Sequence, residues 1–151
     1  MAGGIQMEMV RQLLKKKGHH TWSIGPDASV YEALELMSRK EIGALIVLDP
    51  REGTRIVGVI SERDYARNVI LKGRLSKDTR VREIMTTRII HAHPDHSVQE
   101  CMELMTEKRV RHLPVLEEGS LLGVISIGDL VKSIMSEQQF MIEQLEHYIS
   151  G

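Results

Sequence analysis

The chain says one thing twice. Displaced by 68 positions, P-D-A-S-V-Y-E-A-L-E-L-M from Pro26 falls on P-D-H-S-V-Q-E-C-M-E-L-M from Pro94, and 12 of the 23 positions from Pro26 to Leu48 are identical. After a loop three residues shorter, G-V-I-S-E-R-D (Gly58 to Asp64) meets G-V-I-S-I-G-D (Gly123 to Asp129), now at a displacement of 65. A repeat of this period means two homologous supersecondary units, and neither is large enough to bury a sheet alone.

Each copy carries the same local signals. A short extended segment runs to Pro26 or Pro94, where the proline turns the chain. Ser29 and Ser97 stand as N-caps, each with a glutamate three residues on (Glu32, Glu100), the capping-box spacing. Val30, Ala33, Leu34 and Met37 follow at helical spacing, as do Val98, Cys101, Met102 and Met105. Ala44–Leu48 and 112–116 read as buried strands, D-P-R-E-G-T and E-E-G-S as turns, and I-V-G-V-I and L-L-G-V-I as return strands. A last helix starts at Ser61 or Ser126. The predicted class is therefore α+β: two βαββα repeats packed about a pseudo-twofold axis. The predicted divisions are an N-terminal extension over 1–18, helical in M-V-R-Q-L-L-K-K-K, and a first repeat over 19–72. A polar linker follows over 73–86, then a second repeat over 87–135 and a helical C-terminal extension over 136–151.

Composition narrows the function classes. Hydrophobic residues make up 42 % of the 151, yet Phe, Trp and Tyr number 1, 1 and 3, so the core is aliphatic. A formal net charge of −1 offers no positive field for nucleic acid or an acidic membrane. No apolar run approaches a membrane span; the longest is A-L-I-V-L, Ala44 to Leu48. The N-terminal M-A-G-G-I-Q-M-E-M lacks the regions of a signal peptide, and the lone Cys101 forms no internal disulfide. Together these predict a soluble, cytoplasmic protein.

The chemistry concentrates on Ser61-x-x-Asp64 and Ser126-x-x-Asp129. Either pair is a helix cap, the serine bonding a free amide and the aspartate facing the positive end of the helix. Both copies keep serine and aspartate while the residues between them differ completely. Each pair follows the C-terminal end of a strand, where α/β crevices accept ligands, and a carboxylate there suits a neutral diol such as two ribose hydroxyls. Capping and binding are compatible. In the second copy K-R-V-R-H-L-P-V-L adds Arg109, Arg111 and His112 at a strand entrance, where guanidinium forks suit phosphate. His91 and His93 share a strand face and raise a metal site as an alternative, although Pro94 bends the chain before His96. Cys101 takes the place of Ala33 and reads as core, while Trp22 is open between core packing and base stacking. No nucleophile elbow, phosphate-cradling G-x-x-x-x-G-K loop or H-E-x-x-H is present, so no enzymatic activity is predicted.

The doubled pattern P-D-x-S-V-x-E-x-x-E-L-M, L-x-V-L and G-V-I-S-x-x-D resembles the tandem repeat first described in cystathionine β-synthase, the CBS domain. The resemblance spans about 19–135, and with E-R-D-Y-A-R, K-G-R-L-S-K-D-T, E-I-M-T and S-I-G-D-L-V it is similar to stand-alone CBS pairs of bacteria and plant organelles. It implies a Bateman module with two clefts for an adenosine nucleotide ligand (AMP, ADP, ATP or NAD), commonly assembled as a homodimer. Carried over, Asp64 and Asp129 hold ribose with Ser61 and Ser126. Arg111 and His112 match phosphate-facing positions, Thr86 lies near the ligand, and Ile90 and Trp22 border the base. The first copy departs from this pattern. Gly43 and Ala44 replace Arg111 and His112, and Gly18 stands where Thr86 would, so equal occupancy of the clefts is not implied. Arg63 is the candidate to compensate for phosphate. CBS pairs usually regulate an attached enzyme or channel, and here the regulated protein acts in trans, a thioredoxin-type partner being one candidate. A structural dimerisation module with empty clefts, and a metal-responsive module through His91 and His93, are the alternatives.

Overall fold

The computed structural model describes residues 8–18, 21–53 and 55–150. Residues 1–7 of the predicted N-terminal extension, 19 and 20 at the predicted opening of the first repeat, and 151 lie outside the described residues. The chain forms two compact units, one comprising Thr21–Ile89 with Glu118–Leu121, the other Met1–His20, Ile90–Glu117 and Leu122–Gly151.

The first-repeat unit is built on a three-stranded sheet. Strand β1 (Ser23–Ile24) runs parallel to β2 (Ala44–Leu48), which pairs antiparallel with β3 (Ile56–Ser61). Between β1 and β2 lies helix α2 (Val30–Lys40). Its start is written in Ser29, whose hydroxyl accepts from the Glu32 amide at 3.1 Å. Glu41 ends it in the left-handed conformation at φ 56°. Val30, Ala33 and Met37 point into the core, where they meet Leu45, Val47 and Ile60. Leu45, Ile46 and Val47 are buried in succession, as expected of a strand covered on both faces. After β3 come helix α3 (Glu62–Tyr65) and a wider π-helical turn over Ala66–Ile70.

The stretch 73–86, polar in composition, carries a helix as well. Helix α4 (Val81–Ile84) inserts Val81 and Ile84 into the same core. It is sewn to the entrance of α2 by backbone bonds from Val30 to Thr79 (2.8 Å), Val81 to Ala28 (2.8 Å) and Arg82 to Pro26 (2.9 Å).

The second-repeat unit follows the same plan from α5 (Val98–Lys108) through β4 (His112–Glu117) and β5 (Ser120–Ser126) to α6 (Ile127–Ser150). Here the capping box predicted at Ser97 is closed from both sides, at 3.0 and 3.1 Å. The predicted opening strand shrinks to one residue. Ala92 alone bridges Val115 in parallel, because the Pro94 turn begins two residues later.

The counterpart of α4 comes from the beginning of the chain. Helix α1 (Val10–Lys17), predicted from the amphipathic N-terminal stretch, buries Val10, Leu13 and Leu14 against Cys101, Leu113 and Ile125. Its backbone bonds repeat those of α4: Val98 to Glu8, Val10 to His96 and Arg11 to Pro94, each 2.9 Å. Helix α1 also ties to α6. The Ser133 hydroxyl donates to the Glu8 carboxylate at 3.1 Å, and the Glu8 amide donates to Glu137 Oε1 at 2.8 Å. Among the described residues no helix is long and apolar enough to cross a membrane.

Candidate functional site

In the first-repeat unit, pairing of Ala44 with Ser61 places the last residue of β3 at the strand's end. The Ser61 amide and hydroxyl both donate to Asp64 Oδ2, at 2.9 and 3.0 Å, and the Asp64 amide donates back to Ser61 Oγ at 3.2 Å. The cap reading is thus literally true, with aspartate acting where a capping box usually has glutamate. One further donor reaches the carboxylate. Thr86 Oγ1 lies 3.3 Å from Asp64 Oδ1.

Thr86 is brought there by the backbone. It exchanges bonds with Val59 in both directions, 2.9 and 2.8 Å, lying beside β3 as a fragment of strand. This approach requires Gly58. A Cβ at that position would stand 2.6 Å from Met85 Sδ and 3.1 Å from the Thr86 carbonyl oxygen. Trp22 precedes β1 in this unit, with the Lys40 ammonium 4.1 Å from its ring centroid. Arg63 stands exposed on the first turn of α3.

The second-repeat unit holds the corresponding set. The Ser126 amide donates to Asp129 Oδ2 at 2.8 Å and the Asp129 amide to Ser126 Oγ at 3.2 Å, matching the first copy. The Ile127 amide bonds the Arg111 carbonyl at 2.9 Å, as Glu62 bonds Gly43 at 3.0 Å, so each strand entrance is fastened to its helix start in the same way. Ile90 packs against the core of this unit.

The donor to the aspartate differs here. Lys17, at the end of α1, donates to Asp129 Oδ2 and to the Val124 carbonyl, both at 2.6 Å. The sequence reading did not include Lys17. Gly18, which follows it, turns the chain at φ 96°, a conformation glycine adopts without strain. Burial works against the charged form of Asp129, but the Lys17 bond and the Ser126 amide outweigh it, and the carboxyl sits below its usual range. At His112 loss of hydration is the largest influence, joined by the positive charges of Lys17 and Arg111 and opposed by Asp129. The imidazole is held below its ordinary value.

The predicted residues therefore sort into two sets. Trp22, Ala44, Ser61, Arg63, Asp64 and Thr86 belong to one unit, and Ile90, Arg111, His112, Ser126 and Asp129 to the other. Two of the histidines raised for a metal are occupied with the Pro94 turn. The Asp95 amide donates to His93 Nδ1 at 3.1 Å and the His93 amide to His96 Nδ1 at 3.0 Å. Among the described residues no group of three or more His, Cys, Asp or Glu is placed to hold a metal ion.

Comparison with known proteins gives concordant results. The sequence model of the CBS domain matches residues 8–70 and 81–136. The mitochondrial CBS domain-containing protein CBSX3 of Arabidopsis thaliana is 36 % identical over 155 aligned residues, covering 98 % of this chain and 75 % of its own. A solved protein with CBS domains from Burkholderia ambifaria is 50 % identical with a TM-score of 0.77, covering 86 % of this chain and 96 % of its own. The CBS domain pair of protein MJ0100, solved with 5′-methylthioadenosine and S-adenosyl-L-methionine, shares the fold at a TM-score of 0.73 with 21 % identity, over 87 % of this chain and 99 % of its own.

Proposed function

This chain belongs to the CBS domain family as a tandem pair, and we propose that it is a non-catalytic regulatory module that binds an adenosine nucleotide or dinucleotide and signals to a protein in trans. The observation that carries this reading is the doubled Ser/Asp arrangement. Two segments that share neither intervening residue hold the aspartate in the same cap, with serine amide to carboxylate at 2.9 and 2.8 Å and aspartate amide to hydroxyl at 3.2 Å in both. A cap needs no such duplication, because either side of the helix start accepts many substitutes. A ribose diol held by a fixed carboxylate does need it. The complex of the MJ0100 pair with two adenosyl ligands supports the same ligand class.

Under this reading AMP, ADP, ATP and NAD are the candidate ligands. Arg111 and His112 serve phosphate in the second unit and Arg63 in the first, where Ala44 stands in the place of His112, while Trp22 and Ile90 border the base and Thr86 steadies Asp64. The regulated partner is a separate protein, thioredoxin-type proteins being candidates, and two copies pair through α6. Cytoplasmic residence belongs to the same reading, since a reducing compartment suits a lone buried thiol such as Cys101.

The test is a thermal melt with each adenine ligand. We expect the melting temperature to rise with ligand concentration, by about 2.7 kcal/mol of added stability at a hundredfold excess over Kd. Asp64→Ala combined with Asp129→Ala should remove the response. A melting temperature indifferent to all four ligands, or a full response in the double variant, would refute the reading.

A further inference from the structure

Lys17 has no part in the proposal above, yet it makes the shortest contact to Asp129. It is the last residue of α1, and its ammonium bridges Asp129 Oδ2 and the Val124 carbonyl at 2.6 Å each. The pair is half withdrawn from water, the lysine side chain being 32 % and the aspartate side chain 20 % exposed. The backbone bonds that set Val10 on Val81 and Arg11 on Arg82 place α1 on α4 at a displacement of 71, so Lys17 and Thr86 come from different positions of the two segments. In the first-repeat unit the group on the aspartate is a neutral threonine hydroxyl. In the second it is a full positive charge.

We propose that Lys17 is the specificity-determining residue of the Asp129 site, restricting it to adenosine ligands that carry phosphate, while the Asp64 site has no such requirement. The inference rests on the reading of Asp129 as a ribose holder. Asp129 Oδ2 already takes both the Ser126 amide and the Lys17 ammonium, so a ribose diol that closes on both carboxylate oxygens competes with the ammonium for Oδ2 and displaces it. Displaced, it is a partly desolvated cation in the neighbourhood of Arg111 and His112, and an unpaired charge there is costly. A phosphate oxygen gives it a new anionic partner within the same ligand and makes the exchange even. An uncharged nucleoside leaves it stranded. A sulfonium nucleoside adds a second cation and fares worse. At Asp64 the Thr86 hydroxyl can turn aside without stranding a charge, so charged and uncharged adenosine ligands compete there on equal terms.

Isothermal titration with AMP and with adenosine tests this on Asp64→Ala protein, which retains only the Asp129 site. We expect AMP to bind at least about tenfold more tightly than adenosine. Adding Lys17→Met should reduce that ratio to within about threefold, with adenosine binding more tightly than before because its competitor is gone. Lys17→Arg, which keeps the charge, should preserve the ratio. If Asp64→Ala does not fold, the same ratio is read from the two-site isotherm of the otherwise unaltered chain with and without Lys17→Met. A ratio unchanged by Lys17→Met overturns the role of Lys17 and leaves the nucleotide reading standing. Failure of AMP and adenosine to bind any of these proteins overturns both.

Discussion

At His112 the second site has a pH response of its own. Loss of hydration first, then Lys17 and Arg111, favour the neutral ring, with Asp129 pulling the other way. The folded protein therefore takes up this proton less readily than the unfolded chain, whose histidines titrate near about 6.5. Stability falls as pH drops through that value and levels off only below the lowered folded value. We expect the melting temperature of the native chain to fall from pH 7.5 to 5.5 and the fall to be smaller in His112→Asn, as measured by differential scanning fluorimetry. Equal slopes would show that the ring is not held neutral. The serines and aspartates were legible because both copies keep them, and His112 because the second copy departs from the first there, with Ala44 in its place. Lys17 was not, since its partner lies 112 residues away and its signal is indirect.

Among the elements, β3 shows how one glycine positions a distant side chain. Gly58 admits the Met85–Thr86 segment against the sheet, and Thr86 then reaches Asp64. Gly58→Ala should cost about 1–3 kcal/mol, because the thioether can swing away but the Thr86 carbonyl, 3.1 Å from the added methyl, cannot. Chemical denaturation measures the loss, and a change below about 0.5 kcal/mol would mean the segment is free to shift. The central helices and strands were plain from caps and periodicity, and β2 spans the very residues predicted. The two closing helices differ. Helix α4 has only four residues, with Val81 and Ile84 set among Arg80, Arg82 and Glu83, too short for any period to emerge from the charges. Polar composition made it read as linker, and only its backbone bonds to Pro26 and Ala28 give it a place in the unit.

For the molecule as a whole the distinguishing element is α6, which continues for 24 residues from the Asp129 site. Leu130 and Ser133 face its own unit. Val131, Met135, Ile142, Leu145 and Ile149 are exposed, and with Gln138 they follow a strict alternation of four and three, the seam of a two-stranded coiled coil. If this is where two copies meet, Leu145→Glu should weaken the dimer by about a hundredfold and give a monomer in light scattering at micromolar concentration, with helical content retained. A variant that stays dimeric would place the contact elsewhere. The dependence of the second unit on α1 has another consequence, visible in the order of synthesis. The first core is complete soon after Ile84 leaves the ribosome, since every segment of it is recent. The second begins with Val10, Leu13 and Leu14, and these wait through some eighty residues of elongation for the segment from Ala92 onward. Helix α1 precedes the first core yet closes the second, so a nascent chain halted between α4 and α5 carries one finished core and one helix still without a home.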